Sequence, residues 1–135
     1  VRARAYLILG SQATVTAEAA WLDQNLAPFG VIDAPVDDAE VSGTQTVRGW
    51  ALDNKGVTGL ELWIDGARAT SLGYGSSRPD VCLVWPQYPG CSAVGYSGSY
   101  DFSGLSACQH LLEVKASDGD GNVRVIARKR VTVTH

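Results

Sequence analysis

The chain has 135 residues, enough for one domain with a real core, and its 45% hydrophobic and 19% charged residues exclude a disordered chain. A net charge of −3 and a pI near 5.2 exclude an electrostatic nucleic-acid binder. No apolar run approaches the ~18–20 residues that span a bilayer. The opening residues also alternate where a secretory leader would carry an apolar stretch, so the sequence reads as a piece of something longer.

In residues 1–22, Ala3, Ala5, Leu7 and Leu9 share one face against Arg2, Arg4 and Tyr6. After Gly10-Ser11 the alternation resumes, with Ala13, Val15, Ala17, Ala19 and Trp21 opposite Thr14, Thr16 and Glu18. This predicts a β-hairpin. Hairpin and polar link make a first unit, residues 1–28. Its order of strand, turn and strand resembles Leu112–Ala116, turn, Arg124–Thr132, so it reads as the end of a preceding, related domain. A generic hairpin would match in the same way. An isolated hairpin is marginal, so this one is expected to lean on the main domain or on another chain.

The second unit, residues 29–135, is read as an all-β, Ig-like antiparallel sandwich. Strands are predicted at Gln45–Leu52, Gly59–Asp65, Arg68–Gly73, Val94–Phe102, Gln109–Ser117 and Val123–Val133. Short strands at such even spacing indicate a sandwich. Asp65-Gly66 is a two-residue hairpin signal, because glycine accepts positive φ. No segment sustains helical periodicity over three turns; Ser103–Ala107 is read as one helical or 3₁₀ turn. Trp50 and Trp63 fall within strands and are read as core or half-core, one of them as the buried tryptophan of a sandwich. In the last strand, Val123, Val125, Ala127, Val131 and Val133 are placed on one face, with Lys129 the exception, and Arg124, Arg128 and Arg130 on the other.

Phe29–Pro35, then Val41-Ser42-Gly43, then Val47–Asp53, then Glu61–Gly66 resembles the opening of bacterial Ig-like domains of secreted multidomain proteins. Arg78–Val81, Tyr88-Pro89-Gly90, His110–Val114 and Ala116–Asn122 resemble later segments. The chain departs at Ala107-Cys108-Gln109, where the pattern has a Gly-containing turn. The resemblance implies a non-catalytic spacer, adhesive or accessory module, extracellular or cell-surface, with neighbouring domains of its parent as partners. It implies no catalytic chemistry.

Three cysteines bear on the loops. Cys82 and Cys91 bracket the Pro/Gly-rich stretch 83–90, which a disulfide would clamp. Cys91–Cys108 is the rival pairing, and three reduced thiols the third reading. Around the same stretch Tyr74, Trp85, Tyr88 and Tyr96 cluster, with Arg78 and Asp80 nearby. Exposed rings stack on sugars while Arg and Asp bond hydroxyls, so these six residues are the candidate ligand site of a carbohydrate-binding alternative, the ligand being a polysaccharide or a surface protein. The competing reading is that the rings plug a sandwich edge.

No cofactor is expected, and calcium is the one candidate. Asp53 with Asn54, and Asp118, Asp120 and Asn122, lie in turns that an Ig topology brings to one pole, and Asp33, Asp37 and Asp38 are expected to approach it. Against this, Asp and Asn are also ordinary turn residues. For catalysis only Cys108 and His110, two apart on one strand face, make a nucleophile pair; a turn cysteine and a structural histidine is the preferred account.

Overall fold

The computed structural model describes residues 26–135; the N-terminal hairpin and its repeat lie outside them. Eight strands follow in chain order: β1 Phe29–Ala34, β2 Ala39–Val41, β3 Thr44–Leu52, β4 Val57–Ile64, β5 Ala67–Ser76, β6 Gly95–Asp101, β7 Gln109–Asp118 and β8 Val123–Val133. A helix α1, Pro79–Val84, lies between β5 and β6, and a 3₁₀ turn, Phe102–Gly104, between β6 and β7.

The hydrogen-bonded order is β1-β3-β6-β5-β4-β7-β8-β2. It folds into two layers because β5 serves both: Ala67–Leu72 pairs with β4, while Gly73–Ser76 pairs with β6. Every pairing is antiparallel except β2 with β8, where Ala39 to Val41 run parallel beside Val131 to Val133.

Alternation builds the core. Leu60, Leu62 and Ile64 of β4 point inward, as do Leu112, Val114 and Ala116 of β7, with Val47, Ala51, Tyr96 and Phe102 facing them. Gly49 belongs to this face because Tyr96 needs its space; a Cβ there would lie 2.7 Å from the Tyr96 hydroxyl and 2.0 Å from the Val31 carbonyl. The β4–β5 turn is the two-residue hairpin expected, with positive φ at Asp65 (52°) and Gly66 (84°).

Two expectations are corrected. Neither tryptophan is the buried one of a sandwich: Trp63 is half-buried on the outer face of β4 beneath Lys115 Nζ, 3.5 Å from its ring, and Trp50 is half-buried on the outer face of β3. Leu62 occupies the inward register instead, since Trp63 has the opposite parity. In β8 the register shifts opposite Val114 and Lys115, leaving Ile126 as an extra residue. The bulge reverses the alternation, so Val123 is 62% exposed while Ile126 packs on the core. Helix α1 is too short to show a period; Pro79 at its start and Asp80 in its first turn are its only sequence marks.

Candidate functional site

The candidate residues separate into three groups. The first is a lobe formed by residues 77–94 on the outer face of β3. Leu52 has the opposite parity to Ala51, so it points out of the main core, and Val81 and Val94 cover it. Around them Phe29, Trp85 and Tyr88 meet edge to face, with centroids 5.2 to 6.0 Å apart, and Phe29 also meets Trp50 at 6.1 Å. A Cys82–Cys91 disulfide, Cα–Cα 5.7 Å, closes the lobe, which sets aside the Cys91–Cys108 pairing.

The polar groups of the lobe are spent internally. Tyr74 donates its hydroxyl to the Ala51 carbonyl at 2.8 Å, and burial, aided by the charge of Asp53, pushes that phenol up to about 12. Arg78 grips Asp80 through Nε and Nη2 at 3.0 and 2.9 Å and Asp33 through Nη1 at 2.6 Å. Its bond to Asp80 holds that carboxyl below the usual range. Tyr96 is a correction: it is 1% exposed, lies in the main core and donates to the Val31 carbonyl at 2.7 Å, so its ring presents no face to a ligand. Trp85 and Tyr88 keep partial exposure, and beside them Leu83 and Val84 are 85% and 67% exposed.

The second group is the acidic pole. The β3–β4 and β7–β8 loops do meet there: Thr58 Oγ1 donates to the Asp118 carbonyl at 3.2 Å, and Lys55 Nζ lies 3.4 Å from Asp120 Oδ1. Asp118 caps its own turn. Its Oδ1 accepts the Asp120 and Asn122 amides, both at 2.9 Å, and its Oδ2 accepts Asn122 Nδ2 at 2.8 Å. Burial raises the Asp118 carboxyl, but these Asn122 and Asp120 donors outweigh it and hold the group low. Asp53 is 1% exposed. Burial first, then the neighbouring Asp118 and Asp120, drives its carboxyl up to about 6 against the Lys55 amide bond at 2.9 Å. The N-terminal aspartates do not join this pole. Asp33 is taken by Arg78, and Asp37 and Asp38 bond the main chain of Arg130. Arg130 is eight residues along β8 from Asn122, roughly 25 Å at strand rise.

The third group lies at the opposite end of the β4–β7 ladder. His110 occupies the buried register of β7, and its Nδ1 is 2.5 Å from Asp65 Oδ2. Asp65 Oδ1 also accepts the Leu111 amide at 2.9 Å. On the other side of the ring, Nε2 lies 2.9 Å from the Ser106 carbonyl and 3.6 Å from Cys108 Sγ. The bond to Asp65, then that to Ser106, raises the imidazole above its usual value. A ring engaged by Asp65 at Nδ1 and by the Ser106 carbonyl at Nε2 is poorly placed to act as a base for Cys108, which is free and exposed. Asp65 is the residue that sequence reasoning missed, because it reads there only as a turn former 45 positions away. A separate cleft of about 430 Å³ is lined by Asp37, Leu111, Arg128, Lys129 and Arg130, and of the candidate residues it holds only Asp37.

Among the described residues no helix is long and apolar enough to cross a membrane. Residues 28–114 match the family described as bacterial Ig domain. No curated protein matches the chain. Among solved structures it is similar to the fibronectin(III)-like modules of Clostridium thermocellum CbhA. That match has 15% identity and a TM-score of 0.55, over 82% of this chain and 49% of that one. It is also similar to the endo-beta-1,4-mannanase from Thermotoga petrophila, with 11% identity and a TM-score of 0.58, over 92% of this chain and 23% of that one. The chain thus spans about half of the first structure and under a quarter of the second. At these identities the likeness is one of fold.

Proposed function

The chain belongs to the bacterial Ig domain family, and on that premise we propose that it is a non-catalytic spacing or adhesion module of a secreted or surface-attached bacterial protein. The observation that carries this reading is the internal satisfaction of its most irregular segment. Arg78 of the lobe is spent on Asp80 and Asp33, Tyr74 and Tyr96 of the flanking strands donate to the Ala51 and Val31 carbonyls of the sandwich, and Trp85 and Tyr88 pack against Phe29. A clamped, self-satisfied lobe suits a rigid part that holds neighbouring domains at a fixed separation. That the matched solved chains are longer than the sandwich supports neighbouring domains as its partners. The disulfide supports an extracellular or surface location.

The second reading, a carbohydrate-binding module, is favoured by the partly exposed Trp85 beside the bare Leu83 and Val84. Pull-down on insoluble polysaccharides separates the two. The spacer reading expects no retention of the 135-residue chain. Retention that Trp85→Ala abolishes would replace it with the carbohydrate-binding one.

A further inference from the structure

We propose that the cleft on β8, apart from the lobe, binds the carboxylate of an acidic sugar unit, a uronate of a surface polysaccharide. This rests on the adhesion half of the function proposed above. The cleft, about 430 Å³, is lined by Asp37, Leu111, Arg128, Lys129 and Arg130. That volume falls in the ~300–1,000 Å³ range of small-ligand sites. Its lining holds three cationic side chains and one carboxylate, although the chain as a whole carries −3. A concave site of one dominant sign concentrates a field that a flat, mixed surface disperses.

Arg130 lies opposite Leu111 in the β7–β8 ladder, and Arg128 opposite Glu113. The two arginines are two apart in one strand, so they share a face, with Cα atoms about 6.6 Å apart. The main chain of Arg130 is pinned: its amide donates to Asp37 Oδ1 at 2.9 Å and its carbonyl accepts the Asp38 amide at 2.7 Å. Its guanidinium meets no carboxylate among the described residues. Arg128 gives Nε to Glu113 at 2.8 Å, which orients a side chain still 61% exposed. A guanidinium grips a carboxylate through two parallel N–H donors, a geometry that a lysine ammonium lacks. Leu111 supplies the apolar part of the lining. Asp37 is exposed and, among the described residues, has only Oδ1 engaged.

These features select the ligand. A small inorganic anion would leave Leu111 unused. An acidic peptide brings carboxylates that Asp37 repels. A uronate brings its carboxylate to the arginines, the C–H face of its ring to Leu111 and hydroxyl donors to Asp37.

The test is calorimetric titration of the 135-residue chain with trigalacturonate at about pH 7, where its carboxylates are ionised. Saturable binding is expected, with none to the methyl-esterified trimer, which keeps the rings and loses the charge. Arg130→Gln should weaken binding at least about tenfold, since a charge-assisted hydrogen bond is lost. Arg130→Lys should recover only part of that loss, because it keeps the charge without the fork. Both variants should fold, as the pinned groups at position 130 are main-chain ones. Arg124→Gln removes the same charge from the same strand outside the cleft and should bind as the wild type does. No saturable binding would overturn the proposal and leave the spacing half of the function standing. Equal weakening by Arg124→Gln and Arg130→Gln would overturn it as an effect of net charge alone. Hexaglutamate binding as tightly as trigalacturonate would overturn it in favour of an acidic peptide.

Discussion

The imidazole of His110 lies between the Asp65 carboxylate and the Ser106 carbonyl, and its proton balance sets a pH signature. Its raised value means that its contribution is complete below the ordinary imidazole value of about 6.5 and is lost as pH rises through the folded value. The carboxyl of Asp65 is lowered, chiefly by His110, so its share is present above about 3.9 and is lost as pH falls through the folded value. The advantage of wild type over Asp65→Asn in melting temperature should therefore be greatest between about pH 4 and 6.5 and shrink at higher pH. A difference that stays flat across that range would contradict the pairing. Asparagine is the chosen replacement because it tolerates the positive φ and still accepts the Leu111 amide. Asp53 has a raised carboxyl, so the native state binds that proton more tightly than the unfolded chain does. Stability from this group is gained as pH falls through about 6. Both groups make the protein melt higher near about pH 5.5 than near about pH 8.

At the scale of elements, the lobe depends on its cross-link as much as on its apolar contacts. The bridge joins cysteines nine apart in sequence, and the chain-entropy relation for so short a loop gives about 2.5 kcal/mol. A Cys82→Ser, Cys91→Ser double variant should lose about that much stability in denaturant titration. Faster amide exchange should be confined to α1 and the 85–94 segment while β4 and β7 remain protected. Uniform loss of protection would mean that lobe and sandwich unfold together. Six of the eight strands were legible because each alternates, β4 and β7 within two residues of their ends, while β1 and the three-residue β2 were not among the predicted strands. Helix α1 was not legible, since six residues carry no period. The phase of β8 was also hidden, because the bulge at Ile126 inserts one residue that only the pairing with β7 reveals.

For the whole molecule, two leucines at different depths give contrasting expectations. Leu62 is fully buried between the layers, so Leu62→Ala should cost about 2–5 kcal/mol. Leu83 is 85% exposed on the lobe, and Leu83→Ala should change stability by less than about 0.5 kcal/mol. Equal losses at the two positions would mean that the lobe tip is covered and that the assembly is larger than this chain. The same contrast of depth explains what could be read in advance. Alternation, the Asp65-Gly66 turn and the bracketing of residues 83–90 by Cys82 and Cys91 are local properties, and from them the sequence by itself determined an all-β sandwich with a clamped loop. Which tyrosine is core and which is lobe, that neither tryptophan is buried, that Asp65 meets His110 and that Asp53 Oδ1 lies buried beside Asp118 were decided only by the tertiary structure. Burial and pairing there come from layers packed across 45 to 65 residues of chain, and no local pattern of side chains encodes that distance.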